Sequence, residues 1–277
     1  MSAAPVAPPV WVESDLVSVR GPRLLFSRVV TFCLVELQKL RHDRTELITR
    51  AVQPILWLVI FGETFSRIRA IPTGNVPYLD YLDYLAPGII AQSALFIAIF
   101  YGIQVIWERD AGILTKLLVT PTPRAALVTG KAFAAGIRAL AQAVVVVVVA
   151  ALLGVAMTWN PLRLLGVALV VVLGAAFFSC LSMTIAGIVL KRDRLMGIGQ
   201  AITMPLFFAS NALYPIALMP GWLQAISRVN PLSYEVEALR ALLIGSATNY
   251  WVDFSVLGGA AVAGILAAAA LLGRLSR

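Results

Sequence analysis

The sequence predicts an all-α integral membrane protein of six transmembrane helices, with an N-terminal interfacial helix, an amphipathic cytoplasmic segment and short outer-side helices. Three observations predict it. The 277 residues are 60% hydrophobic and only 13% charged, with a mean hydropathy of +0.88, whereas a soluble domain is roughly half apolar and about a quarter charged. Six segments, 50–66, 86–107, 127–157, 164–190, 195–217 and 253–273, approach or exceed the ~20 apolar residues that cross a bilayer. Lysine and arginine are unevenly divided between the connections. With the N-terminus inside, the stretches 1–50, 108–126, 191–194 and the tail after 273 hold 15 basic residues, against 5 in the outer stretches. Cytoplasmic loops carry that excess, so both termini belong in the cytoplasm. The net charge of +8 therefore reports topology, not nucleic acid.

Residues 1–22, rich in Pro, Ala and Val, lack a basic n-region and a continuous apolar run, so they read as a disordered cytoplasmic tail and not a signal peptide. In 23–49, Phe26, Val30, Cys33, Leu37 and Leu40 recur at helical spacing with basic residues largely elsewhere on the wheel. A helix in the inner headgroup layer fits this pattern, as does a soluble helix on a partner. The remainder, 50–277, forms the six-span domain. Glu63 near the outer end of the first span is matched by Arg67 one turn on.

Between the second and third spans lies "ERDAGILTKLLVTPTPR", residues 108–124, with five charges and two prolines threaded through apolar residues. Ile113, Leu117 and Leu118 make a narrow apolar stripe suited to a groove. Asp110 suits the start of a helix and Lys116 its other end, while Pro121 and Pro123 stop it. A plain solvated loop is the other reading.

The third span contains Lys131, Arg138 and Gln142 on one face. From Ala139 to Met157 the chain is uncharged, about 28 Å of helix, so both cations can sit at the cytoplasmic end and snorkel; a substrate vestibule on that face is the alternative. The valine run 144–149 is lipid-facing or core filler. The fifth span places Gln200, Thr203, Pro205, Ser210 and Asn211 in an apolar helix. Pro205 should kink it, and Asn211 with Pro215 favours early unwinding at the outer end. Its polar groups read equally as interhelical hydrogen bonding or as pathway lining. Beyond it, Trp222, Leu223 and Ile226 form one short amphipathic piece and Val236, Leu239 and Leu243 another, separated by Asn230-Pro231. Neither can span; both suit helices lying at, or dipping into, the outer leaflet.

Residues for chemistry are missing. The single histidine cannot build a zinc-protease motif, Gly130-Lys131 fails the phosphate-loop spacing at Ala125 and Ala132, and Cys33 and Cys180 are far apart in apolar surroundings. No filter or charged pore helix suggests a channel. What remains is a transporter, or a subunit of one that takes its energy from an ion gradient or another polypeptide.

Three stretches carry a family resemblance: "YLAPGI" at 84–89, "RDAGILTKLLVTPTPR" at 109–124 and "NPLSYEVEALRALLIG" at 230–245. In order and spacing, across about residues 25–273, the chain resembles the membrane subunits of type 2 ABC exporters, close to the daunorubicin-resistance and nodulation-export permeases. Members often show Glu where Asp110 stands and Thr where Ile113 stands. The resemblance implies that 108–124 is a coupling helix received by a separate ATPase, through Arg109, Asp110, Gly112, Ile113, Leu114, Leu117, Leu118 and Pro121. It also implies a route between two permease protomers lined by the second and fifth spans. The candidate residues are Gln92, Phe96, Phe100 and Gln104 on one, and Thr203, Phe207, Asn211 and Tyr214 on the other. The implied partners are two ATPase subunits, a second permease (identical or not), lipid and a hydrophobic substrate. This chain would bind no cofactor itself; ATP and Mg would sit on the ATPase. The expected location is the cell inner membrane, and the expected cargo a drug, antibiotic or lipid. A polysaccharide or glycolipid exporter is the main rival, and an ion-gradient carrier a third class.

Overall fold

The computed structural model describes residues 29–31, 34, 38, 44–66, 81–114 and 124–273. The 1–22 tail, most of the amphipathic stretch before Arg44, Arg67, and Leu117, Leu118 and Pro121 of the 108–124 segment lie outside them. The described residues are all-helical, without strands. In chain order the longer helices are α1 (Arg44–Ser66), α2 (Tyr81–Asp110), α3 (Arg124–Leu152), α4 (Pro161–Val189), α5 (Arg192–Phe208), α6 (Gly221–Val229), α7 (Pro231–Ile244) and α8 (Tyr250–Leu272), with a single 3-10 turn at Ile216–Leu218. Four of them, α2, α3, α4 and α8, are long and apolar enough to cross a membrane. The other two expected spans correspond to α1 and α5. At 17 residues, α5 measures about 26 Å, short of a ~30 Å hydrocarbon core.

The helices run alternately up and down, and the bundle has two chemically different ends. One gathers Asp110, Arg124 and Lys191–Arg194; the other exposes Trp159, Trp222, Tyr250 and Trp251. We call these the basic and the aromatic end. The most enclosed element is α2: 83% of its apolar stretch is buried, against 28% for α8. It packs on α1, α3, α4, α5 and α7. Gly102 lets it approach α4, since a Cβ there would lie 2.6 Å from the Cβ of Ser182. Around this core, Val144 and Val148 of α3, Leu165 and Leu169 of α4 and Val262 and Leu266 of α8 turn outward, an apolar surface of the kind that lipid or a partner protein covers.

Two helices are opened by the same device. Asn160 before α4 and Asn230 before α7 cap with a side-chain carbonyl that accepts the N–H of Leu162 and of Leu232, and a proline follows each at the first helical position. α7 closes on Gly245 in the left-handed conformation, φ 83°, which costs glycine nothing. Together α6 and α7 form a hairpin that enters from the aromatic end. At its tip the Asn230 amide donates to the Leu206 carbonyl of α5 (2.7 Å). On the way back Glu235 passes Gly174 and Leu242 passes Gly166 of α4. Gly174 lies thirteen residues into α4, so the hairpin reaches about 20 Å inward along that helix. The sequence expectation left open whether these pieces lie at the surface or dip into the leaflet; in the structure they pack along α4 and reach α5 inside the bundle.

Candidate functional site

At the basic end, three consecutive residues of α2 each hold a different helix. The Trp107 ring stacks under the Arg192 guanidinium at the start of α5 (4.5 Å). The Glu108 carboxylate pairs with Lys131 of α3. Arg109 donates to the carbonyl of Leu190, the residue that closes α4 (3.1 Å), and also pairs with Asp110 (2.8 Å). Leu190 has φ 55°, a conformation an L side chain adopts only where its surroundings demand it. One turn of α2 therefore grips α3, α4 and α5 together.

The chain leaves this turn sharply. After Asp110 the helix ends in a turn at Ala111-Gly112, where Gly112 has φ 70° and open space around its Cα; helix resumes at Ile113. Ile113 is half exposed and Leu114 wholly buried in the chain's own core. Of the two apolar neighbours placed in the docking set from the sequence, Leu114 anchors the segment and Ile113 projects from it.

In mid-bundle, the face of α2 formed by Gln92, Phe96, Phe100 and Gln104 is distinct. From Asp83 to Ile106, only Phe96, Phe100 and Gln104 are not buried. The two phenyl rings lie 6.5 Å apart. A cavity of about 180 Å³ opens along this face between α1, α2 and α3, and Gln92 and Gln142 reach it from facing helices. All four amide atoms of the pair are buried without a hydrogen-bond partner among the described residues. Each unsatisfied buried amide costs about 1–3 kcal/mol. Lys131, Arg138 and Gln142, expected on one face of the third span, do all turn toward α2: Lys131 to Glu108, Arg138 over the Tyr101 ring (5.1 Å), Gln142 into this cavity.

α5 presents two faces. Thr203 and Phe207 are buried; Thr203 bonds back to the Gly199 carbonyl (2.6 Å), and Phe207 meets Trp57 edge-on (5.6 Å). The uncovered face carries Gln200, Met204 and Pro205 along a shallow groove and continues to Phe208. Beyond the helix Asn211 is buried and donates to Glu237 (2.8 Å), and the Tyr214 hydroxyl donates to the Phe208 carbonyl (2.6 Å). Asn211 thus belongs to a polar cluster at the aromatic end. There Tyr84 and Arg240 both donate to its carbonyl (3.0 Å each), and Arg240 lies 3.8 Å from the Tyr84 ring centre.

The sequence reading passed over Trp107, Glu108, Arg240 and Glu235. Glu235 is completely buried, neither carboxyl oxygen is paired among the described residues, and it rests against Gly174. Its signal was available: an acid two residues from Glu237 on a 14-residue helix cannot share Glu237's face.

Four helices long and apolar enough to cross a membrane, bundled around an internal cavity, are the architecture of a multi-pass membrane protein. Its family follows from sequence comparison: the ABC-2 type transporter family matches residues 29–244, and the chain belongs to that family. Among relatives, the ycf38 protein of Cyanophora paradoxa is 30% identical over 209 residues, covering 74% of this chain and 70% of that one. The daunorubicin resistance ABC transporter permease protein DrrB1 of Streptomyces coeruleorubidus is 25% identical over 211 residues, 76% and 72% of the two chains. Nodulation protein J of Rhizobium leguminosarum bv. trifolii is 27% identical over 201 residues, 72% and 74%.

Proposed function

We propose that this chain is the transmembrane subunit of an ATP-driven exporter that moves a hydrophobic or amphipathic molecule (a drug, an antibiotic or a lipid) out of the cytoplasm or its inner leaflet. In this reading α1 and α5 complete six spans, the basic end is cytoplasmic, both termini lie there, and the aromatic end faces outward. Two ATPase subunits bind and hydrolyse MgATP, and a second permease protomer, identical or homologous, supplies the other wall. The observation that carries the reading is the grip of Trp107, Glu108 and Arg109 on three helices, immediately before the projecting Ile113. A push on the 110–121 segment is delivered through that turn to α3, α4 and α5 together, which is what switching the accessible side of a bundle requires.

The route runs along the Phe96–Phe100–Gln104 face of α2. On α5, the Gln200–Met204–Phe208 face is uncovered and supplies a second surface. Thr203 and Phe207 hold α5 in place from behind, and Asn211 and Tyr214 shape its outward end. Asp110→Arg combined with Ile113→Asp tests the coupling: with its ATPase, the double variant inserts normally but loses transport and substrate-stimulated ATP hydrolysis at least tenfold. Unchanged stimulation removes the coupling role from this segment.

A further inference from the structure

We propose that the cavity between α1, α2 and α3 is a binding site for a neutral group that both donates and accepts hydrogen bonds, an amide or hydroxyl cluster, carried on an amphipathic molecule. The reading of the chain as an exporter supplies the direction of travel; the binding rests on the cavity alone. Gln92 and Gln142 are 2% and 1% exposed, stand on different helices and open to the same space. Each carries two N–H donors and a carbonyl acceptor, and none of these finds a partner among the described residues. Nearby buried hydroxyls pair with backbone, Ser93 with the Ile90 carbonyl (2.8 Å) and Ser182 with that of Ile99 (2.8 Å); Ser179 and Glu235 are also unpartnered among the described residues, but neither lines this cavity. Helix-to-helix hydrogen bonding would have closed the two glutamines on each other or on such carbonyls, and it has not.

About 180 Å³ equals the liquid volume of about six waters, room for a ring or a short polar chain. Phe96 and Phe100 wall one side and offer an apolar surface to the rest of the molecule. Two neutral amides discriminate by pattern, not charge: they reward an occupant that can both give and take hydrogen bonds and reject one that cannot.

The test uses the purified full-length chain in nanodiscs without any ATPase, and three fluorescent lipids of one acyl length: a fatty amide, the fatty amine and the alkane. The amide binds at least tenfold tighter than either other probe. Gln92→Leu and Gln142→Leu each weaken amide binding about tenfold and leave the alkane unchanged. Gln142→Asn, which shortens the side chain but keeps the amide, retains part of the preference, and thermal melting of each variant separates lost binding from lost fold. Equal affinity for the three probes, or wild-type amide binding by both leucine variants while folded, overturns the site. Selective binding without ATP-driven movement of the amide once the ATPase is added keeps the site and removes the exporter reading. Transport that persists unchanged in the leucine variants does the reverse.

Discussion

The two ends of α2 are fastened in opposite ways. At the aromatic end the contacts are buried and end on backbone carbonyls. Tyr81 donates to Leu213, Tyr84 to Asn211, and Arg240 to both Asn211 and Tyr84 (3.0–3.3 Å). Gly88 lies so close to the Ala212 backbone that no side chain fits between them. At the basic end Trp107, Glu108 and Arg109 are partly exposed, and they grip through a ring stack, an ion pair and one carbonyl. Buried bonds to backbone move only if helices separate, whereas partly exposed side-chain bonds exchange with water at little cost. The comparison makes α2 a lever with a fixed pivot at the aromatic end and a releasable hand at the basic end.

Breaking the pivot has the largest effect. A Cβ at Gly88 would stand 2.8 and 2.9 Å from the Cα and carbonyl carbon of Ala212, atoms that cannot swing aside as a side-chain tip could. Gly88→Val is expected to abolish a monodisperse, folded product on size-exclusion chromatography. Gly197→Ala on α5, where a Cβ meets nothing within 4 Å, is expected to leave the profile unchanged. Arg240→Ala is next. It removes two buried hydrogen bonds from a charged donor and a stacked ring, a loss of about 3 kcal/mol that is read as a lowered melting temperature in detergent. If Arg240→Ala melts like the parent, the aromatic end is not the firm one.

Much of this architecture was legible because membrane helices announce themselves by length. The four apolar segments 86–107, 127–157, 164–190 and 253–273 sit within a few residues of α2, α3, α4 and α8. The unwinding expected from Asn211 and Pro215 is present, since α5 stops at Phe208. Orientation about the axis was not legible. In water the apolar face of a helix points to the core, but in lipid both faces are apolar and periodicity says nothing about which is covered. Thr203 and Phe207, which the family resemblance implies for the route, are buried on α5, while the uncovered face carries Gln200, Met204 and Phe208. The glycines were the better guide: Gly88, Gly102 and Gly174 each mark a close approach that a Cβ would block. The Glu108–Lys131 pair joins residues 23 apart on two helices, a separation no motif spacing foretells. Length alone placed Lys131 toward the basic end of its helix, but the snorkelling expected of it is absent: its side chain is buried and paired with Glu108.

The basic end gives the sharpest functional change. Exchanging the charges of Glu108 and Lys131 singly and together, in the complex with the ATPase, tests the lever most directly. The measured quantity is substrate-stimulated ATP hydrolysis, with melting temperature as the control. The account predicts that each single reversal lowers stimulation at least tenfold, and that the double exchange recovers most of it. Stimulation that survives both single reversals, in protein that remains folded, would contradict it.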